Sequence, residues 1–379
     1  MVMNEPRLIV FQPNYKRLIM DQNGKDSNDF NRNCYFLLTL VRHGETQSNR
    51  DKIIQGQLDV PLSEDGECQA IHAGIYLRDV LFKKAFVSDL KRAMQTAEII
   101  KANSRVKPFK ILQDLRLRER SYGQMEGKSF SLLKDASEKA GKKLRDYTAE
   151  GGESLPEVRS RASEFFHNLC QSTHQLLKIE KQTTEETNGS NGNGAKSRFY
   201  KWTHFDKGKT ASKSPGSPKE KYLGLGGRLD ASTCLGCWGK REKDVQSKQD
   251  AKIQMESNQR TKNGSDSPES PGKNGEHYSP FNLTKSAATS PNGENILIVS
   301  HGVLLKELIR HFVEDLSCII PGGKGKALRT SPNTGVSQFM VHIGEDGQVL
   351  QLECLMVHSI QHLPGAHKFS SVQIETNSK

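Results

Sequence analysis

Apolar residues along the chain fall into runs that predict strands. Continuous apolar runs predict fully buried strands at CYFLLTLV (34–41) and NILIVSHG (295–302). Shorter runs predict strands at KAFVSD (84–89) and PFKIL (108–112). Further along, VSQFMVHI and VLQLECLMV flank the turn GEDG, a pattern that is typical of an antiparallel pair.

Between these runs, apolar residues recur at helical spacing. Ser63 is the predicted N-cap of a helix that Gly66–Val80 continues, and Leu90–Lys101 is predicted to be a second helix. A long amphipathic helix is predicted over Leu155–Lys178, and another over Val303–Phe312. Strands that alternate with helices indicate an α/β fold of three layers, αβα, with a mostly parallel sheet. In such sheets, ligands bind beyond the carboxyl ends of the strands.

Residues 181–294 differ in composition from the rest of the chain. They are rich in Ser, Gly, Asn, Lys and Pro and contain few residues that form a core, as in SNQRTKNGSDSPESPGKNGEHYSP. Such a segment buries too little apolar surface to offset the entropy of ordering it, about 1–2 kcal/mol per residue for the backbone. We therefore predict one domain over 35–379, interrupted by a long disordered insert at 181–294. Residues 1–34 lack a clear pattern and are predicted to form a poorly ordered extension.

Composition and charge limit the classes of function. Hydrophobic residues make up 34% of the 379 residues, and the net charge of +11 favours an anionic partner. The apolar runs are too short to span a membrane, and the basic insert carries no motif of a nucleic-acid-binding fold, so we expect neither a transmembrane segment nor a nucleic-acid partner. The seven cysteines are odd in number and scattered, which predicts reduced thiols. We expect a cytoplasmic location, with the nucleus and the mitochondrial surface as alternatives.

Two histidines stand at the carboxyl ends of the two most apolar strands. His43 lies in VRHG and His301 in VSHG, and the glycine after each histidine permits a tight turn and a close approach to a ligand, so Gly302 is predicted to border the substrate. Arg42 precedes the first histidine and Arg92 follows the KAFVSD strand, so both can reach the same crevice. Guanidinium groups bind phosphate in a bidentate manner, and a neutral imidazole between two of them is suited to attack phosphorus.

The sequence offers an acid for this chemistry but no metal site. Glu119 is a candidate to protonate a leaving oxygen, although its place among arginines in LRERSYGQMEG is, on spacing alone, more typical of a solvated charged loop. CLGC at 234–237 lacks a second pair of zinc ligands, and GKT at 208–210 lacks the first glycine of a phosphate-binding loop. We therefore expect no metal and no cofactor.

Five motifs together resemble those of one family. LVRHGETQSN, SDLKRAMQTAE, LRERSYGQMEG, GGES and IVSHG, in this order, are similar to the motifs of the histidine phosphatase, or phosphoglycerate mutase-like, superfamily. DKIIQGQLDVPLSEDG, RLRERSYGQMEGK and SPNTG most resemble its fructose-2,6-bisphosphatase-like members. The similarity covers residues 36–363 apart from the insert. It implies a phosphoglycerate mutase-like fold and a histidine phosphatase domain.

The resemblance also implies a role for individual residues. His43 would accept the phosphoryl group, and Glu119 would give a proton to the leaving group and then activate water. The phosphate pocket would contain Arg42, Asn49, Arg92 and His301, and the substrate would also border Gln55, Gly56, Tyr122 and Lys128. Arg116 and Arg118 are predicted to be surface charges.

We therefore predict a metal-independent phosphatase that hydrolyses a small, strongly anionic phosphorylated metabolite through a phosphohistidine. The resemblance implies that the substrate is fructose 2,6-bisphosphate and that its hydrolysis lowers glycolytic flux. A phosphoglycerate mutase is the alternative enzyme. A weakly catalytic scaffold that binds partners through its insert is the alternative from another class.

Overall fold

The predicted strands join in one six-stranded sheet. A computed structural model describes residues 34–189 and 294–364 of the chain. The strands are β1 Cys34–Arg42, β2 Lys84–Val87, β3 Lys110–Gln113, β4 Asn295–Ser300, β5 Val336–Ile343 and β6 Val349–Ser359. Their order across the sheet is β3-β2-β4-β1-β5-β6. The first four strands in this order are parallel to one another, β5 is antiparallel to β1, and β6 is antiparallel to β5. The prediction of a mostly parallel sheet with an antiparallel pair is confirmed.

The helices cover both faces of this sheet. They are α1 Gln47–Arg50, α2 Glu64–Leu77, α3 Lys91–Ala102, α4 Phe130–Lys139, α5 Leu155–Gly189, α6 Gly302–Glu314 and α7 Gly323–Ala327. Ile296 and Ile298 of β4 belong to the core shared with α5 and α6. Leu297 and Val299 belong to the core shared with α2 and α3. Because successive strand residues point to opposite faces, the continuous apolar run of β4 is explained by burial on both sides, and the three-layer αβα prediction is confirmed.

The structure differs from the sequence-based expectation at both ends of the predicted insert. Helix α5 continues to Gly189, past the predicted start of the insert at residue 181. Glu294, its predicted last residue, is 3% exposed and forms an ion pair of 3.6 Å with Lys83. The disorder predicted for 190–293, the candidate motifs GKT and CLGC, and the predicted extension up to residue 33 all lie outside the described residues. Cys34 itself begins β1 and is buried.

Strand register brings two chain segments together at one edge of the sheet. In the parallel pair β1–β4, Arg42 lies opposite Ser300. The backbone N–H of His43 then donates to the carbonyl of Ser300 over 2.9 Å, so the residues that follow both strands emerge side by side. The carboxyl end of β2 joins them, because Ser88 N–H donates to the carbonyl of Val299 over 3.1 Å. The edge at which a ligand was expected therefore carries three converging strand ends.

Helix α6 is packed so that its first turn faces this edge. Its apolar residues Leu304, Leu308 and Phe312 are fully buried in the core beside α5, and the Phe312 and Phe166 rings lie 4.7 Å apart between centroids. Such packing fixes the direction of the helix axis and therefore the position of the free backbone N–H groups at its N-terminus. None of the helices in the described part of the chain is both long and apolar enough to cross a membrane.

Candidate active site

The predicted nucleophile, His43, is held in a single tautomer. Its side chain is 2% exposed, and its Nδ1 lies 2.6 Å from the carbonyl oxygen of Gly44. Because a carbonyl oxygen only accepts hydrogen bonds, Nδ1 carries the proton and donates it. The lone pair of the neutral ring is then on Nε2, as attack on phosphorus requires.

The surroundings of His43 favour the neutral ring. Burial, followed by the positive charges of Arg42 and Arg92, holds the pKa of His43 well below its usual value of 6.5. The hydrogen bond to Gly44 acts in the opposite direction and is a smaller effect. The imidazole is therefore unprotonated at neutral pH and has its lone pair available.

Arg92 is a buried cation fixed by two backbone carbonyls. It is 1% exposed at the start of α3, and its Nη1 and Nη2 donate to the carbonyls of Leu58 and Gly56, each over 2.7 Å. Its Nε is buried and finds no acceptor within the described residues. Burial lowers the pKa of Arg92 to about 10, so the group stays charged at neutral pH. A cation with an unused donor is suited to bind an anion.

Arg42 supplies a second guanidinium whose charge acts on His43. Its Nη1 donates to the carbonyl of Ser331 over 2.8 Å, and its buried Nε is without an acceptor among the residues described. A side chain at Gly302 would come within 3.4 Å of this Nε and 2.8 Å of the Thr330 methyl group. Glycine at the first position of α6 therefore leaves room beside Arg42.

His301 lies beside His43 and is fully buried. The two ring centroids are 5.2 Å apart, and Nε2 of His301 shares a hydrogen bond of 2.7 Å with the Ser88 hydroxyl. Its Nδ1 is buried, and no described residue bonds to it. Burial, then the charge of Arg92, keeps the pKa of His301 well below 6.5. Ser88 was not identified from the sequence, since a serine at a strand end carries no signal of its own.

Glu119 lies at the N-terminus of α6 rather than in solvent. Its Oε2 accepts from the backbone N–H of Val303 over 3.1 Å, and its Oε1 accepts from Leu304 over 3.2 Å and Arg120 over 2.8 Å. These three N–H groups fix the position of the Glu119 carboxyl group. The solvated-loop interpretation, which spacing alone favoured, is therefore wrong for Glu119.

The arginines on either side of Glu119 have other partners. Arg118 forms an ion pair with Asp89 at 2.5 Å, and Arg116 forms ion pairs with Asp114 at 2.8 Å and Glu164 at 3.1 Å. Both residues are half-buried, and the interpretation of them as surface charges stays a prediction.

The loop that contains Gln55 and Gly56 borders Arg92. Gln55 is 9% exposed, and its buried Oε1 has no donor within the described ranges. Gly56 has a φ of +49°, and a side chain there would overlap the carboxylate of Glu126. The carbonyl of Gly56 can therefore turn toward Arg92 only because this residue is glycine.

Tyr122 and Lys128 differ in how closely the structure ties them to the site. The guanidinium of Arg120 lies 5.0 Å from the ring centroid of Tyr122, and burial, followed by the charge of Glu119, raises the pKa of Tyr122 to about 12. Lys128 is exposed, and only its backbone adjoins the Gln55 loop, by accepting from Ile54 N–H over 2.8 Å. No described contact brings the Lys128 side chain to the pocket.

Two sets of supporting residues were missed. Arg161 of α5 donates to the carbonyls of Arg118 and Glu119 over 2.6 Å and 3.0 Å, and it pairs with Glu153 at 2.9 Å. Residues 331–335 contact the backbone of Arg42 and His43. The motifs GGES and SPNTG contain members of both sets, so a signal was present, but nothing in the spacing indicates what these residues touch.

Across residues 34–189 and 294–364, no three His, Cys, Asp or Glu side chains are grouped so that they could hold a metal ion. The positive charge around the pocket comes from Arg42 and Arg92.

Comparisons with known proteins identify the family of this chain. A family model described as the histidine phosphatase superfamily (branch 1) matches residues 38–177. The chain is 32% identical over 333 residues to the fructose-2,6-bisphosphatase TIGAR of Xenopus tropicalis, covering 86% of this chain and 94% of that protein. Identity to the Mus musculus protein of the same name is 32% over 334 residues, covering 87% and 97%. A probable phosphoglycerate mutase, GpmB, of Escherichia coli is 37% identical over 145 residues, covering 36% of this chain and 66% of that protein.

Proposed function

The chain belongs to the histidine phosphatase superfamily and is a phosphatase, and we propose that it hydrolyses fructose 2,6-bisphosphate to fructose 6-phosphate and phosphate through a phosphohistidine at His43. The observation that carries the proposal is the 2.6 Å hydrogen bond from His43 Nδ1 to the Gly44 carbonyl, which leaves the Nε2 lone pair free between two arginines. The substrate is inferred from the names of the two relatives. In a cell, this hydrolysis would lower glycolytic flux.

In the first half-reaction, the phosphoryl group moves from the sugar to His43. The Nε atoms of Arg42 and Arg92 bind the phosphoryl oxygens, because these donors are buried and have no acceptor among the described residues. The Nδ1 of His301 joins them, carrying its proton while Nε2 accepts from the Ser88 hydroxyl. Nε2 of His43 attacks phosphorus as the bond to the sugar oxygen breaks, and Glu119 gives its proton to that oxygen. The Gly44 carbonyl, which accepts from Nδ1, stabilises the positive charge that forms on the ring.

In the second half-reaction, water takes the place of the sugar. The Glu119 carboxylate removes a proton from the water, whose oxygen attacks phosphorus while the bond to Nε2 breaks. Phosphate leaves, and His43 returns to its neutral form with Nδ1 protonated. The arginines offset the charge on phosphorus throughout, so the reaction is expected to proceed with a chelator present.

The test is an assay of the purified protein with fructose 2,6-bisphosphate and a chelator. We expect fructose 6-phosphate and phosphate in equal amounts, and an alkali-stable phosphoryl label on His43 when turnover is quenched. His43→Ala should leave only the background rate. Turnover by His43→Ala, a label on another residue, or activity that returns only with an added divalent metal would each overturn the proposal.

A phosphoglycerate mutase is the second candidate. It is favoured by the similarity to the probable mutase from Escherichia coli, although that similarity covers 36% of this chain. Both reactions use a phosphohistidine, so they are distinguished by the fate of the phosphoryl group, which goes to water in a phosphatase and to a second hydroxyl in a mutase. A scaffold acting through residues 190–293 would instead show no dependence of its function on His43.

A further inference from the structure

We propose that Asn333 is a positioning residue for the phosphate pocket. Its side-chain amide is anchored on the backbone carbonyl of His43 and sets the orientation of the Asn49 amide, so that Asn49 presents a donor to phosphate. The inference rests on the proposed function, in which the pocket binds a phosphoryl group, and it adds a residue that the sequence did not single out.

Asn333 contacts both partners through one nitrogen. Its Nδ2 lies 3.1 Å from the carbonyl oxygen of His43 and 3.4 Å from Oδ1 of Asn49. A carbonyl oxygen cannot donate, so the atom of Asn333 that faces His43 must be the NH₂ group. The NH₂ group has two hydrogens, which allows both bonds at once. The side chain of Asn333 therefore connects two parts of the pocket that lie on different elements.

The orientation of the Asn49 amide is fixed by the same logic. Its Oδ1 accepts from the backbone N–H and from the hydroxyl of Thr46, each over 3.1 Å, in the capping box of α1. The bond from Asn333 is the third to this oxygen. If the Asn49 amide were rotated by 180°, its NH₂ group would face two other donors, the Thr46 N–H and the Asn333 NH₂, and both hydrogen bonds would be lost. Nδ2 of Asn49 is therefore the atom that can donate to a phosphoryl oxygen.

The backbone around Asn333 is fixed independently of its side chain. Thr334 N–H donates to the carbonyls of Arg42 and His43 over 3.1 Å and 3.3 Å, and Arg42 N–H donates to the carbonyl of Gly335 over 3.4 Å. Thr334 is fully buried with a φ of +54°, a conformation that a β-branched residue rarely adopts. A strained residue that persists in a fold is held by its surroundings. The Asn333 amide is thus presented by a rigid segment, as positioning requires.

The test is a double-mutant cycle on the binding of inorganic phosphate, measured by titration calorimetry on the full chain. Asn333→Ala should weaken phosphate binding about tenfold, as expected when a hydrogen bond that orients a charged contact is lost. Asn49→Ala should weaken it by a similar factor or more. The double variant should bind no more weakly than Asn49→Ala, because Asn333 would act through Asn49. Asn103→Ala is the matched control, because it removes an amide of the same kind that donates to the carbonyl of Ile99 at the end of α3, and it should stay within about twofold of the wild type.

A general loosening of the segment would give a different result. It would disturb Arg42 and His43 as well as Asn49, so the two losses would multiply in the double variant and overturn the inference. Thermal unfolding checks that each variant is folded, and if Asn333→Ala is not, Asn333→Ser removes the same two bonds in the same cycle. If the wild type binds no phosphate, both the proposed function and the inference fail. If it binds phosphate and the losses multiply, only the inference fails.

Discussion

At the scale of single residues, the site depends on keeping two imidazoles neutral among buried cations. Both His43 and His301 are at most 2% exposed, and burial is the first cause of the lowered pKa of each. Arg92 lowers the pKa of both and remains charged itself because its own pKa falls only to about 10. The pocket thus combines neutral bases with permanent cations at neutral pH, which a surface cluster would not do.

This electrostatic arrangement predicts the acid side of the pH profile. Protonated His43 has no lone pair for attack, so kcat/KM falls as the pH drops through the folded-state pKa of His43. Because that pKa is lowered, the rate should stay level as pH falls through 6.5 and decline only at more acidic values. The measurement is kcat/KM from pH 8 to pH 4.5, after correction for the ionisation of the substrate. Arg92→Gln removes one of the causes of the shift and should move the decline to higher pH, whereas a wild-type decline centred at or above 6.5 would contradict the assignment.

Which of these residues could be found from the sequence depends on how local their contacts are. His43 and His301 were found because a glycine follows each of them at the end of an apolar run. The position of Glu119 depends on Val303, 184 residues away, and that of Asn333 on His43, 290 residues away. Spacing along the chain carries no information about such contacts. Glu119 was a candidate by residue type, and the family resemblance strengthened it, whereas the motif SPNTG contains Asn333 but gave it no role.

At the scale of elements, helix α5 positions the acid. Arg161, near its start, donates to the carbonyl of Glu119 over 3.0 Å and to that of Arg118 over 2.6 Å. Glu153 ties Arg161 to the next segment by also accepting from the Ser121 N–H over 2.8 Å. The Glu119 loop is therefore attached to a helix whose apolar residues are packed in the core.

Arg161→Ala should uncouple Glu119 from this helix. We expect kcat to fall about 10–100-fold, since a displacement of the order of 1 Å in a reacting group can cost this much. The loss should be larger for sugar phosphates than for p-nitrophenyl phosphate, whose leaving group needs little protonation, while the affinity for inorganic phosphate should change little. Arg159→Ala is the matched control on the same helix, because Arg159 pairs with Glu314 and Asp315 instead. An equal loss for both substrates would indicate a general structural role for Arg161.

The two halves of the fold are also expected to join without residues 190–293. Lys178 of α5 donates to the carbonyl of Glu345, in the β5–β6 turn, over 3.0 Å. That turn follows Ile343, which pairs with Cys34 at the start of β1. Strand β4 begins with Asn295 at the same edge of the sheet. Helix α5 therefore passes close to the start of β4.

Replacing residues 190–293 by a flexible Gly/Ser linker should thus preserve the enzyme. Helix α5 extends about 16 Å beyond Lys178 at about 1.5 Å per residue, so a linker of roughly 10 residues is long enough to return. We expect a thermal midpoint close to that of the full chain and kcat/KM within about threefold. His43→Ala in the shortened chain is the control for contaminating activity. A shortened protein that is insoluble, or folded but inactive, would show that the removed residues contribute to the domain.

At the scale of the whole molecule, the layers could be predicted and some boundaries could not. β1 and β4 are buried on both faces, and their nearly continuous apolar runs predicted this. Such runs are typical of a parallel sheet with helices on both faces. Helix α4 was not predicted, because only Leu133 and Ser137 of its residues are buried and no apolar stripe results. The end of α5 was missed because the residues after Lys178 lose the apolar periodicity before the helix ends. The change in composition indicates where residues no longer contribute to the core, but it does not indicate where a helix ends.

The molecule as a whole also predicts which reaction follows formation of the phosphohistidine. A mutase must keep water from this intermediate until a second hydroxyl accepts the phosphoryl group. The segment between α4 and α5 adjoins Tyr122, because Gly152 pairs with Tyr122 as an isolated bridge. Its cations Lys142, Lys143 and Arg145 are all exposed. Lysine is a point charge that cannot bind a carboxylate or phosphate in the forked manner of arginine. The intermediate should therefore remain open to water.

Two separate assays test whether water reaches the phosphohistidine. One supplies 3-phosphoglycerate with catalytic 2,3-bisphosphoglycerate, and the other supplies fructose 2,6-bisphosphate. We expect release of free phosphate to dominate in both, with negligible formation of 2-phosphoglycerate. Lys142→Ala and Arg145→Ala should leave the ratio of hydrolysis to isomerisation unchanged, because exposed cations that touch nothing in the pocket do not control access of water. If isomerisation outruns phosphate release in the wild type, and either substitution reverses the order, these cations close over the substrate and the chain is a mutase. The proposed roles of His43 and Glu119 would survive that result, since both reactions need the same nucleophile and the same acid.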